Sequence, residues 1–287
     1  MISALRGGSG KTILSIGIIA ALCQRGKTVS PFKKGPDYID AGWLALAAGR
    51  PCFNLDTFMV PPARVLTSFL TRSSHQAIAV IEGNRGLYDG IDIDGTTSTA
   101  ELAKLLQTPV LMCIDATKTT RTMAAVVSGC EQFDRDVPLR GVILNRVAGA
   151  RHESILRRSI EAHCGVPVLG AVPKLSKQNF PERHMGLVPT PEHAWARESI
   201  AAIAAIAEKH IDMAALAQLW RGGCIIRSTL LRTIREAFER KPELTNLLLD
   251  PLISESVGEA QVHWRNAVAR MTRAGIPSPA LSSALSY

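Results

Sequence analysis

Short runs of β-branched and apolar residues alternate with longer amphipathic stretches up to about residue 175. The apolar runs predict strands at residues 2–5, 28–32, 77–82, 110–114, 141–144 and 167–172. Helix-compatible stretches follow at residues 11–24, 98–106, 119–132 and 152–163. This alternation is typical of a parallel sheet with crossover helices. We therefore predict a doubly wound α/β fold with a mostly parallel sheet, whose ligands bind beyond the carboxyl ends of the strands.

The alternation of predicted strands and helices ends after this region. Residues 173–191 are proline-rich and without a period, which predicts a loop at the same edge of the sheet. Helices are predicted at 192–209 and 213–219, and beyond Trp220 the periodic stretches 227–240 and 255–273 indicate helices only. We therefore predict a domain at 1–218 and a small all-α appendage at 219–287.

Composition narrows the functional classes. The 287 residues are 46% hydrophobic and 20% charged, as in folded proteins. The net charge of +8 is spread without a basic run, so we expect no nucleic-acid partner, and the excess suits ATP and an anionic small substrate. No apolar stretch reaches the roughly 18 residues of a membrane span, and no signal peptide is recognised. The 6 cysteines are scattered, so we expect reduced thiols, a cytoplasmic location and no membrane partner.

A glycine-rich segment between the first predicted strand and helix carries the clearest chemistry. Backbone N–H groups of such a segment converge on phosphate oxygens at a helix N-terminus. The predicted nucleotide contacts are Gly8, Ser9, Gly10, Lys11 and Thr12. Lys11 would reach the β- and γ-phosphates and Thr12 would bind Mg²⁺. Leu5 stands where the strict motif has its first glycine, and a glycine turn before an ordinary helix remains the alternative.

Several blocks in order resemble the cobyrinic acid a,c-diamide synthases, over about three quarters of the chain. They are FKKGPDYID at 32–40, GRP at 49–51, NLD at 54–56, EGNRGLYDG at 82–90, STA at 98–100, GVILNRV at 141–147 and ERHMGL at 182–187. The resemblance implies a P-loop NTPase domain of the dethiobiotin synthetase-like type. It implies ATP- and Mg²⁺-dependent amidation of the a and c carboxylates of cobyrinate through acyl phosphates, in cobalamin biosynthesis.

The same resemblance assigns roles to individual residues. Glu82 with Thr12 would hold Mg²⁺, and Lys33 would contact phosphate. Asp37 and Asp40 would serve the carboxylate that is phosphorylated. Independently of the family, acidic residues at strand ends opposite a phosphate loop suit metal binding and charge neutralisation. The catalytic candidates are therefore Lys11, Lys33, Asp37 and Asp40.

Plainer interpretations of these residues stay open. Asp37 and Asp40 could cap a turn and the following helix. Glu82 could be an ordinary acid at a strand end, and Lys33 with Lys34 could be a solvated pair. Asn145 resembles the adenine-contacting asparagine of dethiobiotin synthetase relatives, or is a strand-end turn residue.

Three residues in the loops carry no firm role. Tyr88 and Asp89 either contact ligand or shape their loop. His184 either contacts substrate carboxylates or satisfies a loop hydrogen bond.

The chain also departs from the family's sequence pattern. AGWLALA follows GPDYID where many members have proline and histidine. The glutaminase domain that normally follows has no counterpart, so we expect free ammonia or a separate glutaminase as nitrogen source. The nickel-sirohydrochlorin a,c-diamide synthases carry the same signature, and a homodimer is left open.

The last 70 or so residues resemble part of the helical domain of 6-phosphogluconate dehydrogenase, through WRGGCIIRS and GIPSPALSSALSY. Arg227 would match a phosphate-contacting arginine there, but the dinucleotide-binding domain and catalytic lysine have no counterpart. We therefore expect no dehydrogenase activity. Apolar residues such as Leu247, Leu248 and Leu249 would be exposed and favour self-association.

Two other functions compete with the ligase. A partition-type ATPase switch is suggested because RGGSGKT approaches KGGxGKT, although Arg6 replaces its signature lysine. A non-catalytic fusion product is the other, since the two resemblances come from unrelated proteins.

Overall fold

The computed structural model describes residues 1–73, 77–175, 182–183, 186–187, 195–221, 237, 240–241, 243 and 246–286. The chain divides into two compact units, Met1–Ile225 and Ile226–Tyr287. The boundary predicted near residue 218 stays a prediction. The helix predicted at 227–240 lies mostly outside the described residues.

The first unit is built on a seven-stranded sheet in the order β3-β2-β4-β1-β5-β6-β7. Its strands are β1 (Ile2–Ala4), β2 (Val29–Lys34), β3 (Phe53–Leu55), β4 (Ile78–Glu82), β5 (Val110–Asp115), β6 (Leu139–Val147) and β7 (Val168–Pro173). Every neighbouring pair is parallel. The strand order reverses at β1, so the doubly wound α/β prediction is confirmed.

Eight helices of the first unit connect or follow these strands among the described residues. They are α1 (Lys11–Gln24), α2 (Tyr38–Ala48), α3 (Pro62–Arg72), α4 (Thr99–Leu106), α5 (Thr122–Phe133), α6 (Ala150–His163), α7 (Ala196–His210) and α8 (Met213–Arg221). No bounds were predicted for β3, α2 or α3, although a helix after Asp37 and Asp40 was one of the alternatives. The β3 strand has only 3 residues, and α2 is apolar on nearly all sides, so neither shows a clear period.

Two apolar layers cover the sheet. Helices α1, α2, α7 and α8 bury one face, around Ile16, Trp43 and Ile203. Helices α3 to α6 bury the other, around Phe69 and Leu156. Because both faces are covered, the parallel strands are almost wholly apolar, and polar side chains concentrate where strands end.

The segment predicted as a loop at 173–191 is partly ordered. A short antiparallel pair joins β8 (Glu182–Arg183) and β9 (Gly186–Leu187). The prediction of a loop throughout is therefore wrong at these residues. His184 lies outside the described residues.

The described part of the second unit is helical. It contains a 3₁₀ turn at Leu247–Leu249 and the helices α9 (Pro251–Arg273) and α10 (Pro279–Ser286). Asp250 caps α9 by accepting hydrogen bonds from Leu252 N and Ile253 N, and it pairs with Arg240 at 2.7 Å. Within the described residues no helix combines the length and apolarity needed to cross a membrane.

Candidate functional site

The glycine loop between β1 and α1 takes a conformation that only glycine adopts easily. Gly8 has φ of 70° and Gly10 has φ of 91°, both left-handed. A Cβ placed on Gly10 would lie 2.2 Å from the Asn145 Nδ2 atom. The loop therefore approaches the end of β6 as closely as a side-chain-free residue allows, and its amides lead into the N-terminus of α1.

Lys11 crosses back over this loop. Its Nζ atom donates to the Arg85 carbonyl at 2.8 Å and to the Arg6 carbonyl at 3.4 Å. Burial lowers the pKa of Lys11, although the nearby Glu82 carboxylate opposes the change. The carbonyl partners hold the ammonium group over the loop, where an incoming phosphate would meet it.

A charged network lies beside the start of α1. Lys33 and Glu82 are direct neighbours across β2 and β4, and Lys33 Nζ lies 2.7 Å from Glu82 Oε1 and 2.7 Å from Asp40 Oδ2. Thr12 Oγ1 donates to Glu82 Oε1 at 2.7 Å and reaches Asp40 Oδ2 at 3.3 Å. The structure thus brings together four of the predicted site residues from α1, β2, α2 and β4.

Burial and opposite charge compete in this network. Burial raises the pKa of Glu82, and the Lys33 ammonium opposes that increase. Burial would lower the pKa of Lys33, but the carboxylates of Glu82 and Asp40 outweigh it and raise that pKa. The lysine is therefore held as a cation between two carboxylates.

One oxygen of Glu82 has no partner. Glu82 is fully buried, and its Oε2 atom accepts no hydrogen bond from the residues that the structure describes. A buried carboxylate oxygen without a donor is costly unless a ligand satisfies it. A hydroxyl and a carboxylate are oxygen ligands of the kind Mg²⁺ takes when phosphates supply the rest of its shell. Thr12 and Glu82 therefore fit a Mg²⁺ ion.

Asp37 caps a helix and also lies beside the charged network. Its carboxylate caps α2 by accepting from Ile39 N at 3.0 Å and Asp40 N at 3.1 Å. It also lies 4.0 Å from Lys33 Nζ. Burial and the neighbouring Asp40 raise the pKa of Asp37. Its cap interaction orients the first turn of α2, which brings Asp40 to Lys33.

Asn145 ties the phosphate loop to the sheet. Its Nδ2 atom donates to the Ser9 carbonyl at 2.9 Å, and its Oδ1 atom accepts from Arg146 N at 3.0 Å. Ser9 Oγ in turn donates to the Arg6 carbonyl at 3.0 Å. A contact of Asn145 with adenine stays a prediction.

The loop after β4 is shaped by its own polar residues. Asp89 Oδ2 accepts from Gly86 N at 2.8 Å, and Tyr88 donates its hydroxyl to the Cys130 carbonyl at 2.6 Å. These contacts favour the loop-shaping interpretation of both residues.

Sequence analysis missed an ion-pair cluster beside Asn145. The Asp115 Oδ2 atom, at the end of β5, lies 2.7 Å from Arg146 Nη1 and 3.5 Å from Arg6 Nη2. Hydrogen bonds from Thr117 and Arg146 lower the pKa of Asp115 although burial opposes them. An acid directly after an apolar strand was the available signal, the same one that identified Glu82.

A parallel sheet with a glycine loop, lysine and threonine at the first helix and an acid at the end of β4 defines a P-loop nucleotide-binding protein. Residues 1–188 match the family model of the CobQ/CobB/MinD/ParA nucleotide binding domain, and the chain belongs to this family. Residues 193–287 match the 6-phosphogluconate dehydrogenase C-terminal domain. Both resemblances predicted from motifs are confirmed.

Curated relatives carry the narrower resemblance. A cobyrinate a,c-diamide synthase of Magnetococcus marinus is 45% identical over 218 residues, which cover 76% of this chain and 47% of that protein. A hydrogenobyrinate a,c-diamide synthase of Brucella suis is 45% identical over 222 residues, covering 77% and 50%. This chain thus spans about half the length of the curated relatives it matches.

Among solved structures, chloroplast FtsY from Physcomitrella patens is similar with a TM-score of 0.44 and 16% identity. The similarity covers 71% of this chain and 64% of that one.

Proposed function

We propose that this chain carries an ATP- and Mg²⁺-dependent ligase domain that amidates the a and c carboxylates of cobyrinate in cobalamin biosynthesis. The observation that carries the proposal is the network of Thr12, Lys33, Asp40 and Glu82 beside the phosphate loop. In this network a cation and the N-terminus of α1, where phosphate would bind, lie next to carboxylates at one sheet edge. The relatives named for cobyrinate and hydrogenobyrinate support this substrate class.

Each part of the site has a task in phosphoryl transfer. The amides of Gly8 to Gly10 and the Lys11 ammonium would bind the phosphates of ATP. Thr12 and Glu82 would hold Mg²⁺, which neutralises charge on the phosphates. Lys33, fixed as a cation by Glu82 and Asp40, would stabilise negative charge on the transferring phosphoryl group.

The reaction then runs in two displacements. A substrate carboxylate oxygen attacks the γ-phosphorus, the bond from that phosphorus to the bridging oxygen breaks, and ADP leaves with the bond electrons. Ammonia next attacks the acyl carbon, the bond to the phosphate oxygen breaks, and phosphate leaves while nitrogen loses a proton. Asp40 and Asp37 would orient the carboxylate or accept that proton.

The nitrogen source and the compartment follow from the same proposal. Ammonia would come free from solution or from a separate glutaminase. The five cysteines that the structure describes are free thiols, which suits the reducing cytoplasm. Cys224 itself lies outside the described residues.

ADP release from Mg·ATP tests the proposal. We expect release with ammonium chloride to depend on cobyrinic acid, with product masses for one and two amides. Lys11→Ala and Asp40→Asn should abolish the dependence, whereas Asp136→Asn, an exposed acid before β6, should retain it. ATP-dependent dimerisation without any response to tetrapyrrole would contradict the ligase and favour a nucleotide switch. Soluble protein with neither ATP binding nor turnover would favour a non-catalytic fusion.

A further inference from the structure

Two basic side chains lie beside the proposed active site without an ionic partner. Lys34 ends β2 and Arg85 follows β4, and neither forms an ion pair or a side-chain hydrogen bond within the described residues. By contrast, Lys33 is fully paired. Unpaired cations placed together repel each other, so their proximity favours an anionic ligand.

The segments that carry the two residues approach each other. A Cβ placed on Gly35 would lie 3.3 Å from Asn84 Nδ2, so the segment after Lys34 touches the residue before Arg85. Arg85 has a left-handed φ of 51°, and its N–H donates to Asn84 Oδ1 at 2.9 Å. A non-glycine residue in this conformation is often held at a functional site. The Arg85 carbonyl is anchored to Lys11 Nζ at 2.8 Å.

Electrostatics agree with this geometry. Burial lowers the pKa of Lys34, and the charges of Arg85 and Lys33 lower it further, whereas Asp56 opposes them. Among the described residues no ion pair joins Asp56 to Lys34, and the Asp56 Oδ1 atom accepts from Phe58 N at 2.8 Å and Met59 N at 3.3 Å. A carboxylate bound between Lys34 and Arg85 would relieve their repulsion.

Lys34 and Lys33 lie on opposite faces of the sheet. Side chains of successive strand residues point to opposite faces, so Lys34 points away from the side on which Lys33 meets Glu82 and Asp40. Asn54 Nδ2 donates to the Gly35 carbonyl at 2.6 Å and the Asp37 carbonyl at 3.0 Å, which joins this region to the site. A substrate across the end of β2 would therefore reach both faces.

Exposed apolar side chains near Lys34 indicate what kind of molecule would carry the anionic group. Phe58 and Met59 are 68% and 69% exposed and follow β3, whose Leu55 carbonyl accepts from Gly35 N at 2.9 Å. Exposed apolar side chains next to unpaired cations suit a large apolar molecule that bears carboxylates. A small inorganic anion would leave the apolar residues without a contact.

We propose that Lys34 and Arg85 bind a second carboxylate of the substrate, one that is not reacting, while Phe58 and Met59 contact its apolar frame. The inference rests on the proposed function, because a substrate amidated at two positions carries more than one carboxylate. Anchoring one carboxylate at Lys34 and Arg85 presents another to Lys33 and Asp40. The pair is therefore a substrate-positioning subsite that leaves nucleotide binding to the phosphate loop.

Neutral variants of the full chain test the subsite. Lys34→Gln and Arg85→Gln should each raise the Kd and KM for cobyrinic acid about tenfold to a hundredfold, as expected for a charge-assisted hydrogen bond. The Kd for Mg·ATP should change less than about twofold, since no phosphate ligand is altered. Lys34→Arg should keep most of the affinity. Arg140→Gln, an exposed charge at the start of β6, is the matched control.

The outcomes separate the two proposals. If the wild type turns over substrate and Lys34→Gln and Arg85→Gln leave its KM unchanged, only the subsite proposal is wrong. The same holds if Arg140→Gln raises the KM for cobyrinic acid as much as those two variants do. It also holds if the two variants weaken ATP binding as much as they weaken binding of cobyrinic acid. Wild-type binding of cobyrinic or hydrogenobyrinic acid without turnover overturns the ligase proposal. In that case the Kd values of Lys34→Gln and Arg85→Gln for the same acid, compared with that of the wild type, test whether the two residues bind its carboxylate. If the wild type binds neither acid, both proposals are wrong.

Discussion

At the residue scale, Gly10 is fixed by both conformation and space. Its φ of 91° is left-handed, and an added Cβ would lie 2.2 Å from Asn145 Nδ2. We expect Gly10→Ala to displace Asn145, distort the phosphate loop and lower ATP affinity at least tenfold, about 1.4 kcal/mol or more. Isothermal titration with Mg·ATP measures this loss.

The control for this change lies in α5. Gly129 is exposed, has no left-handed φ, and an added Cβ would meet nothing within 4 Å. Gly129→Ala should therefore raise the free energy of unfolding by about 0.5–1 kcal/mol and leave ATP affinity unchanged. Equal ATP affinity in both alanine variants would contradict the role given to Gly10.

Lys33 is the residue on which the charged network depends. It is 2% exposed and lies between Glu82 and Asp40. Lys33→Met should lower the free energy of unfolding by about 3–5 kcal/mol, because it leaves buried carboxylates without a counter-charge. Urea unfolding followed by circular dichroism measures the change, and substrate-dependent ADP release should disappear.

A double variant separates stability from chemistry at this position. Adding Glu82→Gln to Lys33→Met removes the unpaired buried charge, so most of the stability should return while activity stays lost. If the double variant is no more stable than Lys33→Met alone, burial of the unpaired Glu82 carboxylate is not the cause of the destabilisation.

Cys113 should be inert toward alkylation. It is 1% exposed behind the loop, where its thiol reaches the Ser9 carbonyl at 3.3 Å, and burial raises its pKa to about 12. At pH 8 only about one thiol in ten thousand would then be the reactive thiolate. Peptide mass mapping after iodoacetamide treatment should find Cys113 modified only in urea. Modification in the native chain at the unfolded rate would refute this.

The sequence predicted some site residues for a reason that generalises. Glu82 could be predicted because parallel strands end at one edge, where buried apolar runs give way to polar residues. Lys33 was identified only through the family resemblance. Arg85 and Arg146 were not identified, because their contacts are with residues distant in the sequence: the Arg85 carbonyl accepts from Lys11 Nζ, and the Arg146 guanidinium lies 2.7 Å from Asp115.

At the element scale, α7 depends on a glycine in α1. A Cβ on Gly17 would lie 2.7 Å from Ile203 Cγ2 and 3.0 Å from the Ile203 carbonyl. Gly17→Ala should therefore force the helices apart and cost about 1–3 kcal/mol, despite the better helix propensity of alanine. Thermal unfolding compared with Gly129→Ala gives the difference directly.

A second change tests whether steric crowding is the cause. Ile203→Ala removes the Cγ2 contact but leaves the carbonyl, so in the Gly17→Ala background it should cost less than in the wild type. Strictly additive losses would show that the two helices do not crowd at this point.

A clear hydrophobic period did not decide which helices were predicted, because the amphipathic α3 was not predicted. Helix α1 was predicted with its observed bounds although it is buried almost throughout, because the glycine loop marks its start. A helix after Asp37, the observed α2, was expected only as an alternative, although Asp37 is a typical N-cap residue. Its Trp43 and Leu44 are buried within a nearly continuous apolar run, which hides the helical repeat. The strand β3 forms through pairing with β2, a partner that no local pattern reveals.

At the scale of the whole molecule, the boundary between the two family matches differs from the boundary between the two compact units. The nucleotide-binding family matches residues 1–188, and the dehydrogenase helical domain matches residues 193–287, which begin inside the first unit. The site residues described above all belong to the first unit, Met1–Ile225. The proposed chemistry is therefore expected to be insensitive to surface changes in the second unit.

The described part of the second unit exposes several large apolar side chains. Leu249, Leu252 and Val262 are 64%, 51% and 66% exposed. Leu249 and Leu252 are close in sequence at the start of α9, and an exposed apolar pair there would favour burial against a second copy of the chain. Sedimentation velocity should therefore show association that increases with concentration, from a monomer of 30.9 kDa.

Charge substitution identifies where this association occurs. Leu249→Glu with Leu252→Glu should shift the equilibrium to monomer without changing the Kd for Mg·ATP, because burying a carboxylate in an apolar contact is unfavourable. Leu70→Glu is the matched control, since Leu70 is 46% exposed on α3 of the first unit. Association that persists in the double variant but is lost with Leu70→Glu would assign self-contact to the nucleotide-binding unit instead. The apolar surface of α9 would then have no part in assembly.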